Sequence, residues 1–163
     1  MSPRKWRLFI WLTITILFML LIFVKSAEPY QEQDLKPQLS AWVPLSVLET
    51  LLPRIEFQYD KDLITWRQPY DMMEFLIRKA AHVSEFAILT LLWIRTFSHT
   101  RLTGPNSTWI SGMISLLYAL SDEWHQTFVP NRTGHLIDVG VDSIGIALVV
   151  VLVWIRFLKT GKS

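Results

Sequence analysis

The sequence predicts an all-α integral membrane protein: a bundle of four transmembrane helices with an extracellular loop containing a short amphipathic helix. Three observations predict it. Hydrophobic residues make up 51% of the 163 residues, which is high for a water-soluble domain. They gather into four runs, each near the ~20 residues that cross a bilayer. The short segments on one side of those runs are basic and free of acids, a topological signature of membrane insertion. The length fits one domain, 1–163.

The first run, about 6–24, follows Arg4, Lys5 and Arg7 and so imitates a signal peptide. Cleavage after Ala27 would place Lys25 where a small residue is needed, and the run is long for a signal. An uncleaved anchor is expected. The outer loop, 25–78, is more than a linker. Trp42 to Leu52 is amphipathic and too short to span, so it is expected in the outer interface, beside the bundle, or capping it. Pro69 suits the first turn of a helix beginning near Tyr70 and running into the second span, about 79–97. The third span is about 107–127 and the fourth about 137–158.

Topology follows from the charges. The N-terminus, the Ser98–Asn106 turn and the C-terminus hold Arg4, Lys5, Arg7, Arg95, Arg101, Arg156, Lys159 and Lys162 and no acid. That side is predicted to be cytoplasmic, giving a multi-pass protein of the cell membrane with both termini inside. Trp6, Trp109 and Trp154 near the inner interface and Trp124 near the outer one fit an aromatic belt. The chain has no cysteine, which excludes disulfides and thiolate chemistry. A formal charge of +2 gives no electrostatic case for nucleic acid as a partner. Membrane lipids are the expected surroundings.

The stretch Ser121–Asp142 concentrates polar chemistry between two apolar segments. Ionisable groups at membrane depth cost roughly 2.5–3.5 kcal/mol each on insertion scales, so they mark function by default. The predicted topology extends the cluster. Lys79, His82 and Glu85 share a face in the outer half of the second span, within about 9 Å of rise. Asp122, His125 and Gln126 reach the same depth on the third, and Ser111, Ser115 and Tyr118 continue that face inward. Asp138 and Asp142 lie one turn apart on the fourth, above Gly145, which permits close approach of a neighbour. Glu123 projects away from the Asp122–His125 face, and His135 falls in a turn. Blander roles fit single residues: Arg78 and Lys79 snorkelling, His82 and Glu85 pairing, Asp138 answering a helix dipole. They explain less well why so many share one depth.

Three chemistries suit the cluster. Lys79 and Arg132, with His125, make an anion grip. His82 and His125 with Glu85, Asp122, Asp138 and Asp142 make a mixed nitrogen and oxygen donor set for a metal. Asp–His pairing, foremost His125 with Asp122, suits acid–base catalysis or a proton relay. Nothing in the spacing selects a cofactor or a metal.

Three fragments carry a family resemblance: Lys79-Ala-Ala-His82-Val-Ser-Glu85-Phe86, then Ser121 to Arg132, then Asp138 through Gly145. In order and spacing they resemble the VanZ-like membrane proteins, named for a teicoplanin-resistance accessory protein, over roughly Phe75 to Val150. The anchor helix and the Ser26–Pro37 stretch, with Gln31 and Gln33, are similar more loosely. Asp142 departs from the pattern, which more often has an amide there. The resemblance implies a bacterial cell-envelope protein linked to glycopeptide resistance, and no established reaction. Lys79, His82, Glu85, Asp122, His125, Gln126, Arg132, Asp138 and Asp142 are then the expected binding residues. The expected ligand is an anionic lipid, a lipid-linked wall precursor or a lipophilic glycopeptide at the outer face. The competing readings are an intramembrane hydrolase or transferase acting on a lipid-linked headgroup, and a bundle whose polar residues are purely structural.

Overall fold

The structure, a computed structural model, describes residues 2–102, 104–130, 132 and 134–160. Lys162, one of the basic residues of the topological argument, lies outside the described residues. Helix α1 spans Pro3–Ser26, with the Ser2 hydroxyl accepting from the Lys5 amide at 3.4 Å. A short 3-10 turn, Tyr30–Gln33, leads to α2 (Lys36–Trp42) and α3 (Leu45–Leu51). A hairpin of β1 (Glu56–Tyr59) and β2 (Asp62–Thr65) precedes α4 (Pro69–Phe97), α5 (Pro105–Gln126) and α6 (Leu136–Thr160).

Proline sets the first turn of α1, α4 and α5, where its missing amide has no intrahelical role. Helix α4 therefore starts at Pro69, where the sequence places it. Its 29 residues amount to about 43 Å of helix, well beyond a ~30 Å hydrocarbon thickness. Its first turns carry a small head of their own. Leu48 and Leu52 pack with Met72 of α4, flanked by Val43, Ile64, Trp66 and Tyr70.

Two expectations are corrected in that head. The segment 42–52 is not one amphipathic helix. Val43 is extended, at φ −121° and ψ 114°, as the residue before a proline prefers to be. Helix α2 therefore stops at Trp42, and α3 restarts after Pro44 and inserts Leu48 into the head core. The fold is also not wholly α, because β1 and β2 pair antiparallel from Glu56↔Thr65 to Tyr59↔Asp62. Asp60 takes a positive φ of 53° in the two-residue turn, which Asp tolerates better than most side chains. Alternation puts Phe57 and Tyr59 on one face, and both rings meet Phe75 of α4, at 5.8 and 4.9 Å.

The four long helices alternate in direction. Arg4 donates to the backbone oxygens of His99 and Thr100, so α1 begins where α4 ends. Tyr118 donates to Met19 O at 2.6 Å and Phe23 faces His125, so α1 and α5 run together. Trp109 meets Trp154, so α5 begins where α6 ends. Between them lies a core of Ile22, Phe86, Leu89, Ala119, Val139, Ile146 and Val150. The buried face of α5 is small: Ser107, Thr108, Ser111, Gly112, Ser115 and Ala119, a composition that lets helix backbones close up.

The outward faces are apolar. Phe9, Leu17 and Leu21 on α1, Ile88 and Leu91 on α4, Met113 and Leu117 on α5, and Ile144, Leu148 and Leu152 on α6 are all exposed. An apolar surface of that extent belongs against lipid or a partner. By length and composition α1 and α6 are apolar enough to cross a membrane. Helices α4 and α5 are long enough but more polar, because Lys79, His82, Glu85, Asp122, Glu123 and His125 fall on them.

Candidate functional site

Helices α4 and α6 run parallel, and their polar residues meet in register. Lys79 pairs with Asp138 Oδ1, His82 Nδ1 lies 3.2 Å from Asp142 Oδ1, and Val83 lies against Gly145. The spacing explains the ladder. Parallel helices advance together, so 79 and 82 on one match 138 and 142 on the other. Gly145 makes the approach possible. A Cβ there would stand 3.0 Å from Val83 C and 3.1 Å from Ala87 N, and nearer still to Val83 O.

Asp138 is shared. Tyr59 of the hairpin also donates to its Oδ1, while the Lys79 ammonium lies 4.5 Å from the centre of the Tyr59 ring. Burial, and then the bond to Asp138, push the Tyr59 hydroxyl above its ordinary pKa of 10.0. The head thus reaches down and closes over one side of the site.

Two clefts open at this head-side end of the bundle. The larger, about 550 Å³, is walled by the hairpin and α4, with Lys79, His82, Gln126, Arg132 and Asp138 in its lining. The smaller, about 330 Å³, lies between α1 and α4 and includes Glu85, Asp122, His82, Gln126 and Arg132. Arg78, His82, Gln126 and Arg132 line both and mark their junction.

At that junction two guanidinium groups converge on one neutral atom. Arg132 Nη2 donates to Gln33 Oε1 at 2.5 Å, and Arg78 Nη2 donates to the same oxygen at 3.4 Å. Arg132 Nη1 is held by Ser26 O at 2.6 Å. Burial, and then the nearby Arg78 charge, lower the pKa of Arg132. Arg78 is tempered by Glu74 at 3.7 Å and by the Tyr30 ring at 4.9 Å. Glu74 is itself buried and accepts from Tyr30 OH and Leu35 N.

Of the residues expected from sequence, Lys79, His82, Glu85, Asp122, Gln126, Arg132, Asp138 and Asp142 all lie at this end of the bundle. Gln126 donates to Asp122 Oδ2 at 3.0 Å, and Asp142 is fully buried. His125 stands apart. Its ring lies 4.3 Å from that of Phe23 on α1, its Nδ1 is buried without a hydrogen-bond partner, and it lines neither cleft. No hydrogen bond joins it to Asp122 among the described residues, so the geometry does not assemble that pair as acid and orienter.

Sequence reasoning names Glu123 and Gln33 but leaves them out of the site, and it does not reach Glu74 or Tyr59. Glu123 is only 3% exposed. Its Oε2 accepts from the His135 amide at 2.9 Å and its Oε1 has no partner. Asp122 Oδ1 and Asp142 Oδ2 are likewise buried and unpartnered. Orphaned carboxylate oxygens in a low-dielectric interior are costly, so three in one region is a chemical feature of the site. His135 is tied to the hairpin through Asp60, Nδ1 to Oδ2 at 2.9 Å.

A family model described as VanZ/LLP1 matches residues 11–158. No curated protein and no solved structure gives a match.

Proposed function

The chain belongs to the VanZ/LLP1 family, and on that premise we propose that it is a four-span envelope membrane protein that binds an anionic headgroup at its outer face. The observation that carries this reading is the pair of guanidiniums on Gln33. Two cations that share one neutral oxygen repel each other, and a phosphate or carboxylate between them would relieve both. Arg suits that task through its planar fork of donors.

The four-span reading draws on the alternating helices and on the apolar faces that α4 and α5 turn outward. Their ionisable residues cluster on the faces turned to neighbours, which lowers their apolar average without presenting charge to lipid. Arg4, Lys5, Arg7, Arg95, Arg101, Arg156 and Lys159 gather at the end remote from the clefts. The basic bias assigns that end to the cytoplasm, with both termini, and the clefts to the outer leaflet. The ligand is then an anionic lipid, a lipid-linked wall precursor or a lipophilic glycopeptide, and membership of the family supports a contribution to glycopeptide resistance.

Native mass spectrometry of the protein in nanodiscs tests the reading. With phosphatidylglycerol mixed into phosphatidylcholine, the wild type retains the anionic lipid, Arg132→Ala loses it and Arg132→Lys keeps part of it. Added precursor or glycopeptide that displaces the lipid identifies the preferred source. Equal retention by wild type and Arg132→Ala rejects the anchor role.

The intramembrane hydrolase or transferase remains the second reading, and the orphaned carboxylates favour it. Complementation of a deletion strain separates the candidates: full rescue by His125→Ala removes His125 from any catalytic scheme. If the polar residues are only structural, Asp138→Asn lowers thermal stability and resistance in parallel.

A further inference from the structure

Buried acids are tolerated inside a helix bundle when something answers their charge, and Glu123 and Asp142 are answered only in part here, Asp142 by His82 and Glu123 by the His135 amide. A ring nitrogen of His82 and one carboxylate oxygen each from Glu123 and Asp142 lie within 4.8 Å of one another. They come from three helices, α4, α5 and α6, and the two acids are almost fully buried, Glu123 at 3% and Asp142 at 0% exposure. Each acid keeps one oxygen without a hydrogen-bond partner, Oε1 of Glu123 and Oδ2 of Asp142. The nearby cations are engaged elsewhere: Lys79 on Asp138, and Arg132 on Ser26 and Gln33.

We propose that His82, Glu123 and Asp142 form a binding site for a divalent first-row transition metal ion, zinc or manganese. Charge supports the choice. A neutral imidazole and two carboxylates sum to −2, which a dication balances where a single proton cannot. Donor chemistry narrows it. One nitrogen and two oxygens without thiolate suit zinc or manganese, whereas calcium takes six to eight oxygens and magnesium keeps to oxygen and water. Geometry allows it. The His82 Nδ1 to Asp142 Oδ1 hydrogen bond of 3.2 Å leaves the two atoms near enough to share one ion about 2.0–2.2 Å from each.

Three protein ligands leave a zinc ion at least one open position, the pattern of sites that handle a further ligand rather than purely structural ones. His82 lines both clefts while Glu123 and Asp142 line neither, so His82 is the ligand that joins the cluster to the clefts. Second-sphere groups are already in place: the His135 amide holds Glu123 through its other oxygen and thereby orients it. The inference rests on this donor set and not on the headgroup reading, since none of the three ligands belongs to the guanidinium pair.

The test uses the full chain in detergent, stripped with a chelator and then dialysed against zinc alone, manganese alone, or magnesium and calcium. Inductively coupled plasma mass spectrometry should find about one equivalent of zinc or manganese per chain and none of the other two after desalting. Glu123→Gln and Asp142→Asn, near-isosteres chosen to preserve packing, should each weaken retention by more than the roughly 10–100-fold that loss of an outer-sphere partner causes. Glu56→Gln, on the hairpin, should leave retention unchanged. A second readout needs no variant: pulsed electron paramagnetic resonance of the manganese-loaded wild type should show coupling to an imidazole nitrogen. Absence of retention by the folded wild type overturns the proposal, as does retention indifferent to both substitutions or a manganese signal without nitrogen coupling. A rise in thermal stability of Glu123→Gln without any effect of metal on the wild type also overturns it, because the cluster then only shares protons. Loss of metal with intact anionic-lipid retention would separate this site from the headgroup site.

Discussion

Replacing Gly145 by alanine probes the contact on which the site depends. The added Cβ would stand 3.0 Å from the carbonyl carbon of Val83 and 3.1 Å from the amide nitrogen of Ala87. Ordinary carbon–carbon contacts sit at about 3.5–4.0 Å, so α6 must retreat from α4 by at least roughly 0.5 Å, and further to clear the Val83 oxygen. No rotamer change relieves the clash, because the obstructing atoms are backbone. Overpacking of this kind costs about 1–3 kcal/mol, and a backbone obstacle places Gly145→Ala in the upper half of that range. For a chain of this length that corresponds to roughly 4–12 °C of apparent Tm. The displacement also reaches the site, since Gly145 lies one turn from Asp142 and Val83 follows His82. A His82–Asp142 contact of 3.2 Å then stretches to the limit of hydrogen bonding. Gly140→Ala, on the same helix, is the control: nothing lies within 4 Å of its added Cβ. Alanine there removes a helix penalty of about 0.5–1 kcal/mol, so the melt holds or rises. The assay is thermal unfolding in detergent, followed by intrinsic tryptophan fluorescence. Equal melting of the two variants would refute the close-packed ladder between α4 and α6.

Three further outcomes follow from the same geometry. Lys79→Met leaves Asp138, whose side chain is only 13% exposed, with the Tyr59 hydroxyl and no cation, and should destabilise the protein by at most about 3–5 kcal/mol; adding Asp138→Asn should recover much of that in a double-mutant thermal-stability cycle. Gln33→Glu places a carboxylate between Arg78 and Arg132, so the variant should melt higher and lose anionic-lipid retention in nanodiscs; retention at the wild-type level would contradict the role given to the pair. Thr96→Val should lower stability by no more than about 0.6 kcal/mol in the same melts. The 3.0 Å contact between Thr15 and Thr96 hydroxyls competes with the bond each makes to its own helix, to Trp11 O and Leu92 O.

What could be read from sequence, and what could not, divides along the reach of helical periodicity. Lys79 and His82 repeat every three residues, and Asp138 and Asp142 every four, so each pair declares a face from sequence alone. Parallel packing then brings the faces together rung by rung. Glu123 escapes the same projection, which treats a helix as having one buried face. Helix α5 packs against α4, α6 and α1, so its buried arc is wide enough to hold Asp122 on the α1 side and Glu123 on the α6 side. The turn folds back onto that residue at Gly134, where a Cβ would run into the Glu123 backbone, but a glycine in the sequence does not name the partner it approaches. His125 departs from the projection in the opposite sense. It shares the Asp122 side of the wheel, but a ring at the edge of that arc meets Phe23 of α1 before it meets the cleft. The hairpin was illegible for a third reason. Four-residue strands carry almost no periodicity, and Asp60-Lys61 lacks the glycine that usually announces a two-residue turn. Its effect on the site is not small, because Tyr59 shares Asp138 with Lys79 and walls the larger cleft. A site assembled by a loop that folds onto it is recovered only when tertiary contacts are known; the helical part of the same site is written in the spacing of its charges.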